Sequence, residues 1–140
     1  MKDENCAYCM QGDLLDKFGI PVCDLKVSKL VLFKEQSKLG RFVVAYQDHV
    51  SEIVDISDED RNAFMEDVVK VARAIHAAFK PDKLNYGAYG DTGHHLHVHL
   101  VPKYKDGTEW GGVFAMNPEQ TYLEEENYTE IISKIKKYLS

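Results

Sequence analysis

The 140-residue sequence has few of the features typical of secreted, membrane-spanning or nucleic-acid-binding proteins. Its three cysteines are an odd number and make a poor disulfide framework. No apolar run approaches the roughly 18 residues of a membrane span. The polar, acidic start resembles no signal segment, so we expect a cytoplasmic protein with no membrane partner. Basic residues number 17 against 23 acidic ones, and the net charge of −6 argues against the broad basic footprint that nucleic acid requires.

The chain also lacks internal repeats, low-complexity tracts and Pro-, Gly- or Ser-rich linkers, so residues 1–140 are predicted to form a single domain. Hydrophobic periodicity indicates where its strands and helices lie. The predicted strands are 22–33, 41–46, 84–89 and 95–101, and the predicted helices are 58–80 and 128–139. Short connections favour an antiparallel β-sheet packed against one long helix and a C-terminal helix, which is an α+β fold.

Both predicted helices carry end signals. Ser57 followed by Asp60 resembles a capping box, and Pro81 interrupts the apolar periodicity of the long helix. Asn127 is the predicted N-cap of the C-terminal helix, with Glu130 at the capping-box position. Glu124 to Glu126 are predicted to be a solvated acidic run before that helix.

Histidine is the one residue type that is crowded. Four of the six histidines fall between His94 and His99. Within the predicted strand 95–101, residues 95–100 alternate strictly between histidine and apolar side chains. In a strand this period of two sends His95, His97 and His99 to one face and the leucines and valine to the other. Neutral buried imidazoles each need a partner, so three on one face indicate either metal binding or nucleophilic catalysis.

A glycine-rich turn precedes the histidine strand. Gly87, Gly90 and Gly93 allow backbone N–H groups to approach an anion closely. Glycines between strands often only turn the chain. Beside a row of imidazoles, however, this turn favours a phosphoryl group as the electrophile.

The motif His95-Leu96-His97-Val98-His99-Leu100-Val101, followed by Pro102-Lys103, resembles the signature of the histidine-triad nucleotide-binding superfamily. The resemblance implies an α+β fold, a homodimer and a small nucleotide substrate that is attacked at its α-phosphate. By position, His97 is the family's nucleophile and would form a covalent nucleotidyl-histidine. His99 is similar to the residue that contacts the phosphate and assists the leaving group, and His95 orients the site.

The same resemblance implies a nucleotide-binding set. Asn85 matches a family phosphate contact, and Thr92 matches a hydroxyl position near the leaving group. Asp91 stands where the family most often has glutamine, and a carboxylate there would repel phosphate unless it is protonated or turned away. Glu35 lies near the position of the family's ribose-binding acid, although its loop is shorter.

Cys6 and Cys9 form a Cys-x-x-Cys pair, which begins many zinc sites that two distant histidines complete. His49 and His95 are the candidates for those ligands, and His94 should point to the opposite face. The alternative is two ordinary buried thiols near a surface histidine. A zinc-containing, bacterial-type branch of the superfamily uses this Cys-Cys-His-His pattern. That resemblance implies a structural zinc, because four protein ligands leave no position for water.

The sequence therefore predicts a nucleotidyl hydrolase or transferase. Adenosine phosphoramidates and dinucleoside polyphosphates are the substrates that the family suggests. Transfer to a sugar phosphate is a second enzymatic interpretation, although that branch usually replaces the third histidine. A nucleotide-binding adaptor without turnover belongs to a different class, and a zinc-storage protein is a further alternative.

Overall fold

The computed structural model describes residues 3–91 and 94–139. Five strands form one antiparallel sheet in the order β1-β2-β3-β5-β4. The strands are β1 (Gly19–Asp24), β2 (Ser28–Phe33), β3 (Phe42–Tyr46), β4 (Lys83–Gly87) and β5 (His97–Lys103), and the helices are α1 (Ala7–Met10), α2 (Gly12–Asp16), α3 (Asp58–Phe79) and α4 (Glu125–Leu139). This arrangement confirms the predicted α+β class.

One face of the sheet packs against α3 and α4, and we call it the helical face. Its strand residues include Leu30, Val44 and Leu100, which are fully buried, and α3 contributes Phe64 and Ile75. Leu96, Val98 and Leu100 all belong to this core, as the alternation predicts. The apolar half of the histidine motif is therefore structural.

The opposite face carries His97 and His99, and we call it the histidine face. A smaller apolar cluster of Leu15, Val31, Phe33 and Val43 lies there, with Phe18 packed against it. The two short N-terminal helices provide this cover and were not predicted from the sequence. Four- and five-residue helices are too short to show a periodic pattern.

Helix α3 forms where it is predicted. The Ser57 hydroxyl accepts from the Asp60 amide at 3.1 Å, so Ser57 is the N-cap. The Asp60 carboxylate does not complete the capping box but accepts from the Tyr46 hydroxyl. At the other end Lys80 adopts a left-handed conformation with φ 51°, just before Pro81.

Several predicted boundaries are wrong. Residues 22–33 are not one strand, because β1 and β2 are separated by a turn over residues 25–27. The buried carboxylate of Asp67 on α3 holds that turn by accepting from the amides of Lys26 and Val27 and from the Ser28 hydroxyl. The same carboxylate anchors α3 to the sheet.

The last two elements also begin or end elsewhere. The C-terminal helix begins at Glu125, so Asn127 lies inside it and not at its N-cap. Glu125 and Glu126 suit the first turn because the helix dipole favours acids there. Strand β5 begins at His97 and continues through Pro102. Because β3 pairs with it only as far as Leu100, the proline lies beyond the part that is paired on both sides.

Within the described residues, no helix is both long and apolar enough to cross a bilayer.

Candidate active site and metal cluster

A cluster of two thiols and two imidazoles lies at the start of the histidine motif. Cys6 precedes α1, Cys9 lies within it, His49 follows β3, and His95 precedes β5. Their four ligand atoms lie within 4.8 Å of one another. His95 Nδ1 is 3.3 Å from Cys6 Sγ, 3.4 Å from Cys9 Sγ and 3.3 Å from His49 Nδ1. The structure thus brings together the four residues that the sequence singled out.

The orientation of His95 suits a metal ligand. Its Nε2 donates to the Tyr46 carbonyl at 2.7 Å, and a carbonyl can only accept, so the unprotonated nitrogen is Nδ1. That nitrogen faces the cluster. Burial lowers the pKa of His95, which favours the neutral ring that a metal needs. The carboxylate of Asp3 lies 3.7 Å from His49 Nε2, where it helps to orient the second imidazole.

The spacing of the ligand atoms fits a tetrahedral ion. Zinc bonds of about 2.3 Å to sulfur and about 2.0 Å to nitrogen place neighbouring ligand atoms about 3.3–3.8 Å apart. The sulfur–nitrogen separations of 3.3 and 3.4 Å and the nitrogen–nitrogen separation of 3.3 Å agree with that geometry. The four residues could therefore hold a metal ion, and they would close its coordination shell.

A cavity of about 680 Å³ opens beside the cluster on the histidine face. This volume lies within the range of small-molecule sites. Its aromatic walls come from α1, β2 and the segments that precede β1, follow β4 and follow β5: Tyr8, Phe33, Phe18, Tyr89 and Phe114, respectively. His97 and His99 reach the cavity, whereas His95 does not line it. The three histidines of the motif therefore lie at two places, His95 in the Cys–His cluster and His97 and His99 at the cavity.

His97 is held in one tautomer. Its Nδ1 donates to the backbone carbonyl of His95 at 2.6 Å, so Nε2 carries a lone pair. Nε2 has no hydrogen-bond partner among the described residues and is not fully buried, so it opens on the cavity. Burial lowers the pKa of His97, which keeps the ring neutral. The arrangement presents a nucleophilic nitrogen to whatever fills the cavity.

His99 is held in the opposite tautomer. Its Nδ1 lies 3.2 Å from Nη2 of Arg41, and a guanidinium can only donate. Nδ1 is therefore the acceptor, and the ring proton is on Nε2. Burial lowers the pKa of His99 to about 3, and the charges of Arg41 and His97 add to the shift. The two rings lie 5.2 Å apart, one presenting a lone pair and the other a proton.

Tyr8 connects the metal cluster to His97. It lies between the two cysteines in the sequence, and its ring centroid is 4.9 Å from that of His97 and 5.5 Å from that of His95. Burial raises the pKa of Tyr8, so the phenol stays neutral. Sequence reasoning missed this residue, although its place inside the Cys-x-x-Cys pair tied it to the site.

The predicted nucleotide-binding residues are distributed unevenly. Asp91 lines the cavity and is exposed. Thr92 lies outside the described residues. Asn85 pairs with Val101 and shares the face of His99, but it does not line the cavity. Phe114 packs directly over Gly87, two residues after Asn85. A Cβ added at Gly87 would lie only 2.7 Å from the Phe114 ring.

Glu35 does not reach this cavity. Its carboxylate accepts from the amide and hydroxyl of Ser37 and from the amides of Gln120 and Thr121. Burial alone would raise its pKa, but these hydrogen bonds outweigh burial and hold the pKa below its ordinary value. Phe33 separates Glu35 from the histidines, since it lines both the large cavity and a small one beside Glu35.

Two curated relatives align with this chain. The "Protein hit" of Bacillus subtilis is 29% identical over 147 residues, which covers 98% of this chain and 96% of that protein. An "AP-4-A phosphorylase" of Mycobacterium tuberculosis is 31% identical over 105 residues, which covers 71% of this chain and 51% of that protein. The second alignment thus spans about half the length of the relative.

Solved structures share the fold. A histidine triad protein from Bradyrhizobium japonicum superposes with a TM-score of 0.84 at 22% identity and covers 92% of this chain and 96% of its own. A zinc-bound histidine triad family protein from Mycobacterium smegmatis gives a TM-score of 0.59 at 17% identity and covers 86% and 84%.

The family model described as "HIT domain" matches residues 30–106. This range contains most of β2, all of β3 to β5 and α3, and the whole histidine motif. The chain therefore belongs to the HIT domain family, as the motif around His97 indicates.

Proposed function

We propose that this protein is a nucleotidyl hydrolase or transferase that acts at the α-phosphate of adenine-type nucleotide derivatives. Dinucleoside polyphosphates and phosphoramidates are the substrate classes. The observation that carries the proposal is the fixed tautomer of His97. Its Nδ1–H is engaged by the His95 carbonyl at 2.6 Å, and Nε2 opens on a cavity of about 680 Å³. The family relationship and the relative named AP-4-A phosphorylase support the substrate class.

The chemistry follows from the two tautomers. The Nε2 lone pair of His97 forms a bond to the α-phosphorus, and the bond from phosphorus to the leaving group breaks with its electron pair on that group. The Nε2–H of His99 donates to an oxygen that becomes more negative during this step. Water then forms a bond to the phosphorus, the bond from phosphorus to His97 Nε2 breaks with its electron pair on the nitrogen, and one proton of the water passes to solvent as the nucleotide product ionises.

Other residues are proposed to bind the nucleotide. The aromatic rings of Phe18 and Phe33 offer faces for a base. Asp91, which lines the cavity, and Thr92 are proposed to act on the leaving group. Asn85 is proposed to act on the phosphate. For Glu35 we propose an indirect part in ribose binding: its carboxylate holds residues 120–121, whose neighbours Glu119 and Tyr122 line a small cavity together with Phe33.

We also propose that Cys6, Cys9, His49 and His95 bind one structural zinc ion. The ligand spacing fits a tetrahedral shell, and a zinc-bound protein of similar fold supports the choice of metal. When bound, the zinc would tie the N-terminal segment to β5. The three cysteines are free thiols and the cluster needs reduced sulfur, which supports a cytoplasmic location.

A homodimer is the proposed assembly. Strand β4 is an edge of the sheet, and Tyr86 on it is exposed. Met65 and Val69 on α3 and Tyr89 after β4 are exposed apolar side chains in the same region. We expect sedimentation to give twice the chain mass and Met65→Lys/Val69→Lys to give the monomer. A wild-type monomer at micromolar concentration would contradict this assembly.

Turnover is the test of the proposed function. Purified protein is incubated separately with adenosine 5′-phosphoramidate and a diadenosine polyphosphate, and AMP release is measured. We expect at least one substrate to turn over, His97→Asn to lose activity by about 1,000-fold or more, and His76→Asn to match the parent because His76 is exposed on α3. Binding of both nucleotides without turnover would overturn the enzyme and support the adaptor.

A further inference from the structure

Arg41 is an unusual residue for its position. It is 1% exposed and immediately precedes β3, whose five residues are all buried. Its guanidinium carbon lies 4.0 Å from the centroid of the Phe33 ring and 5.1 Å from that of Phe114. Nη1 donates to the Ala115 carbonyl at 3.0 Å, and Nη2 donates to the Met116 carbonyl at 3.0 Å. Arg41 is thus fixed beneath one wall of the cavity.

The charge of Arg41 has no carboxylate in contact with it. Within residues 3–91 and 94–139, no Asp or Glu oxygen lies within 4.0 Å of the guanidinium, and Nε is buried without a hydrogen-bond partner. Glu35 and Glu109 act on it only through space. Burial lowers its pKa to about 10, which leaves the group charged at neutral pH. Burying a cation without an ion pair costs stability, so we expect the guanidinium to serve another group that it contacts.

The guanidinium contacts the imidazole of His99. Nη2 of Arg41 donates to His99 Nδ1 at 3.2 Å. The other groups against the imidazole are the Phe33 ring from β2, the Phe114 ring from the segment after β5, and His97 from the same strand. None of these three bonds to the ring nitrogens of His99. In the part of the chain that the structure describes, Arg41 alone therefore determines which nitrogen of His99 carries the proton.

We propose that Arg41 is a positioning residue that restricts His99 to donating a hydrogen bond, and that it thereby favours leaving groups that depart as anions. This inference rests on the function proposed above and selects among its substrates. A group that acts as a general acid must give its proton away completely. Neutral His99 would have to become an imidazolate to do so, and the adjacent guanidinium opposes formation of the cationic ring that could act instead.

The two substrate classes then differ in their proton requirement. With a dinucleoside polyphosphate, the P–O bond breaks with its electron pair on oxygen, and the nucleotide leaves as a phosphate anion whose second pKa is near 6. The Nε2–H of His99 donates to that oxygen and no proton is transferred. With a phosphoramidate, the P–N bond breaks and the amine nitrogen needs a proton that His99 does not supply. The polyphosphate is therefore the better substrate.

The tautomer is tested first, without any substrate. Long-range ¹H–¹⁵N spectra of the imidazole rings at pH 7 should show His97 protonated at Nδ1 and His99 protonated at Nε2. In Arg41→Gln, His99 should change its tautomer ratio or titrate closer to the ordinary histidine pKa, while Arg73→Gln on the exposed side of α3 should leave it unchanged. A wild-type His99 that is cationic or protonated at Nδ1 would overturn the inference, whatever the activity.

Substrate preference is tested second. We expect wild-type kcat/KM for the diadenosine polyphosphate to exceed that for adenosine 5′-phosphoramidate by about tenfold or more. Arg41→Gln should reduce this ratio of kcat/KM values. Arg41→Lys keeps the charge but lacks the planar guanidinium, so its ratio should lie between those of the wild type and Arg41→Gln. An unchanged ratio in a folded Arg41→Gln variant would refute the role of Arg41. If neither substrate turns over, the proposed function fails while the tautomer experiment still tests Arg41.

Discussion

The two faces of the sheet have opposite chemistry although the same strands supply both. On the helical face, Leu96, Val98 and Leu100 join a continuous apolar core against α3 and α4. On the histidine face, His97 and His99 open on a cavity that is lined by residues of α1, by aromatic rings and by connecting segments. The comparison teaches that one strand can place neighbouring residues in different environments, an apolar core on one side and a cavity on the other, because side chains alternate with a period of two.

Removal of the metal should be the largest perturbation of the histidine face. When the concentration of free zinc is about 1,000 times the dissociation constant, binding adds about 4 kcal/mol to the free energy of unfolding. Burial raises the pKa of the Cys6 thiol to about 11, so binding must displace a proton and should weaken as the pH falls. Elemental analysis after gel filtration should find about one equivalent per chain.

The matched variant for this experiment is Cys9→Ser, compared with Cys23→Ser outside the cluster. We expect Cys9→Ser to lose the metal and to unfold at a lower temperature, while Cys23→Ser keeps it. A metal-free parent with the same unfolding temperature as the metal-loaded protein would show that the cluster is not a metal site.

Leu100→Ala tests the helical face of the same strand. Leu100 is fully buried between His99 and Val101, and truncation of a buried leucine costs about 2–5 kcal/mol. We expect chemical denaturation to give a loss in that range, with Val54→Ala, at 80% exposure, close to zero. Below its unfolding transition the Leu100→Ala variant should retain kcat. A folded Leu100→Ala protein that had lost its activity would contradict the claim that the helical face affects stability without affecting activity.

His99 should make the histidine face sensitive to acid. Its folded pKa of about 3 lies below the ordinary value of 6.5, so between these values the unfolded chain binds a proton that the folded chain does not. Stability is therefore fully present above pH 6.5 and falls towards pH 3, with a slope of up to about 1.4 kcal/mol per pH unit from this one group. Denaturation of parent and His99→Asn at a series of pH values should show the shallower slope in the variant. Equal slopes would mean that His99 is not held neutral.

Ser57→Ala is the smallest expected effect. Loss of the hydroxyl that accepts from the Asp60 amide should cost about 1 kcal/mol of stability and nothing in kcat/KM, since α3 lies on the helical face. Ser57→Asp should recover most of that stability. A change in activity without a change in stability would show that the two faces are coupled through α3.

The sequence alone could predict features that depend on a periodic pattern or on residues close together in the chain. The His-apolar alternation predicts which of Leu96 to His99 face the core, and Cys-x-x-Cys predicts a metal knuckle whose histidines are found at 49 and 95. Helix α3 follows from its periodicity and its Ser57 cap. The alternation, the helix cap and the Cys-x-x-Cys spacing are local patterns. His49 and His95 are distant from the cysteines and are predicted because each lies at or near the end of a predicted strand and fits the family's zinc pattern.

Other features depend on contacts between distant residues and could not be predicted. The turn between β1 and β2 requires the carboxylate of Asp67, about 40 residues away. From the sequence, Arg41 is only the first residue of a predicted strand. Its hydrogen bond to His99, 58 residues later, is seen only in the structure. Glu35 occupies a position that suggests ribose binding, yet residues 120–121 take its hydrogen bonds. Tertiary partners, and not local patterns, assign these side chains.

Trapping the covalent intermediate tests the central claim most directly. Turnover of a diadenosine polyphosphate is quenched rapidly in denaturant at alkaline pH, because the phosphorus–nitrogen bond to histidine hydrolyses in acid. Intact-mass measurement followed by fragment-ion mass spectrometry should then reveal one adenylyl group on His97. The parent should carry it, and the His97→Asn protein should not. Turnover that proceeds with no adenylylated histidine, or with the adduct on His95 or His99, would contradict the assignment of His97 Nε2 as the nucleophile.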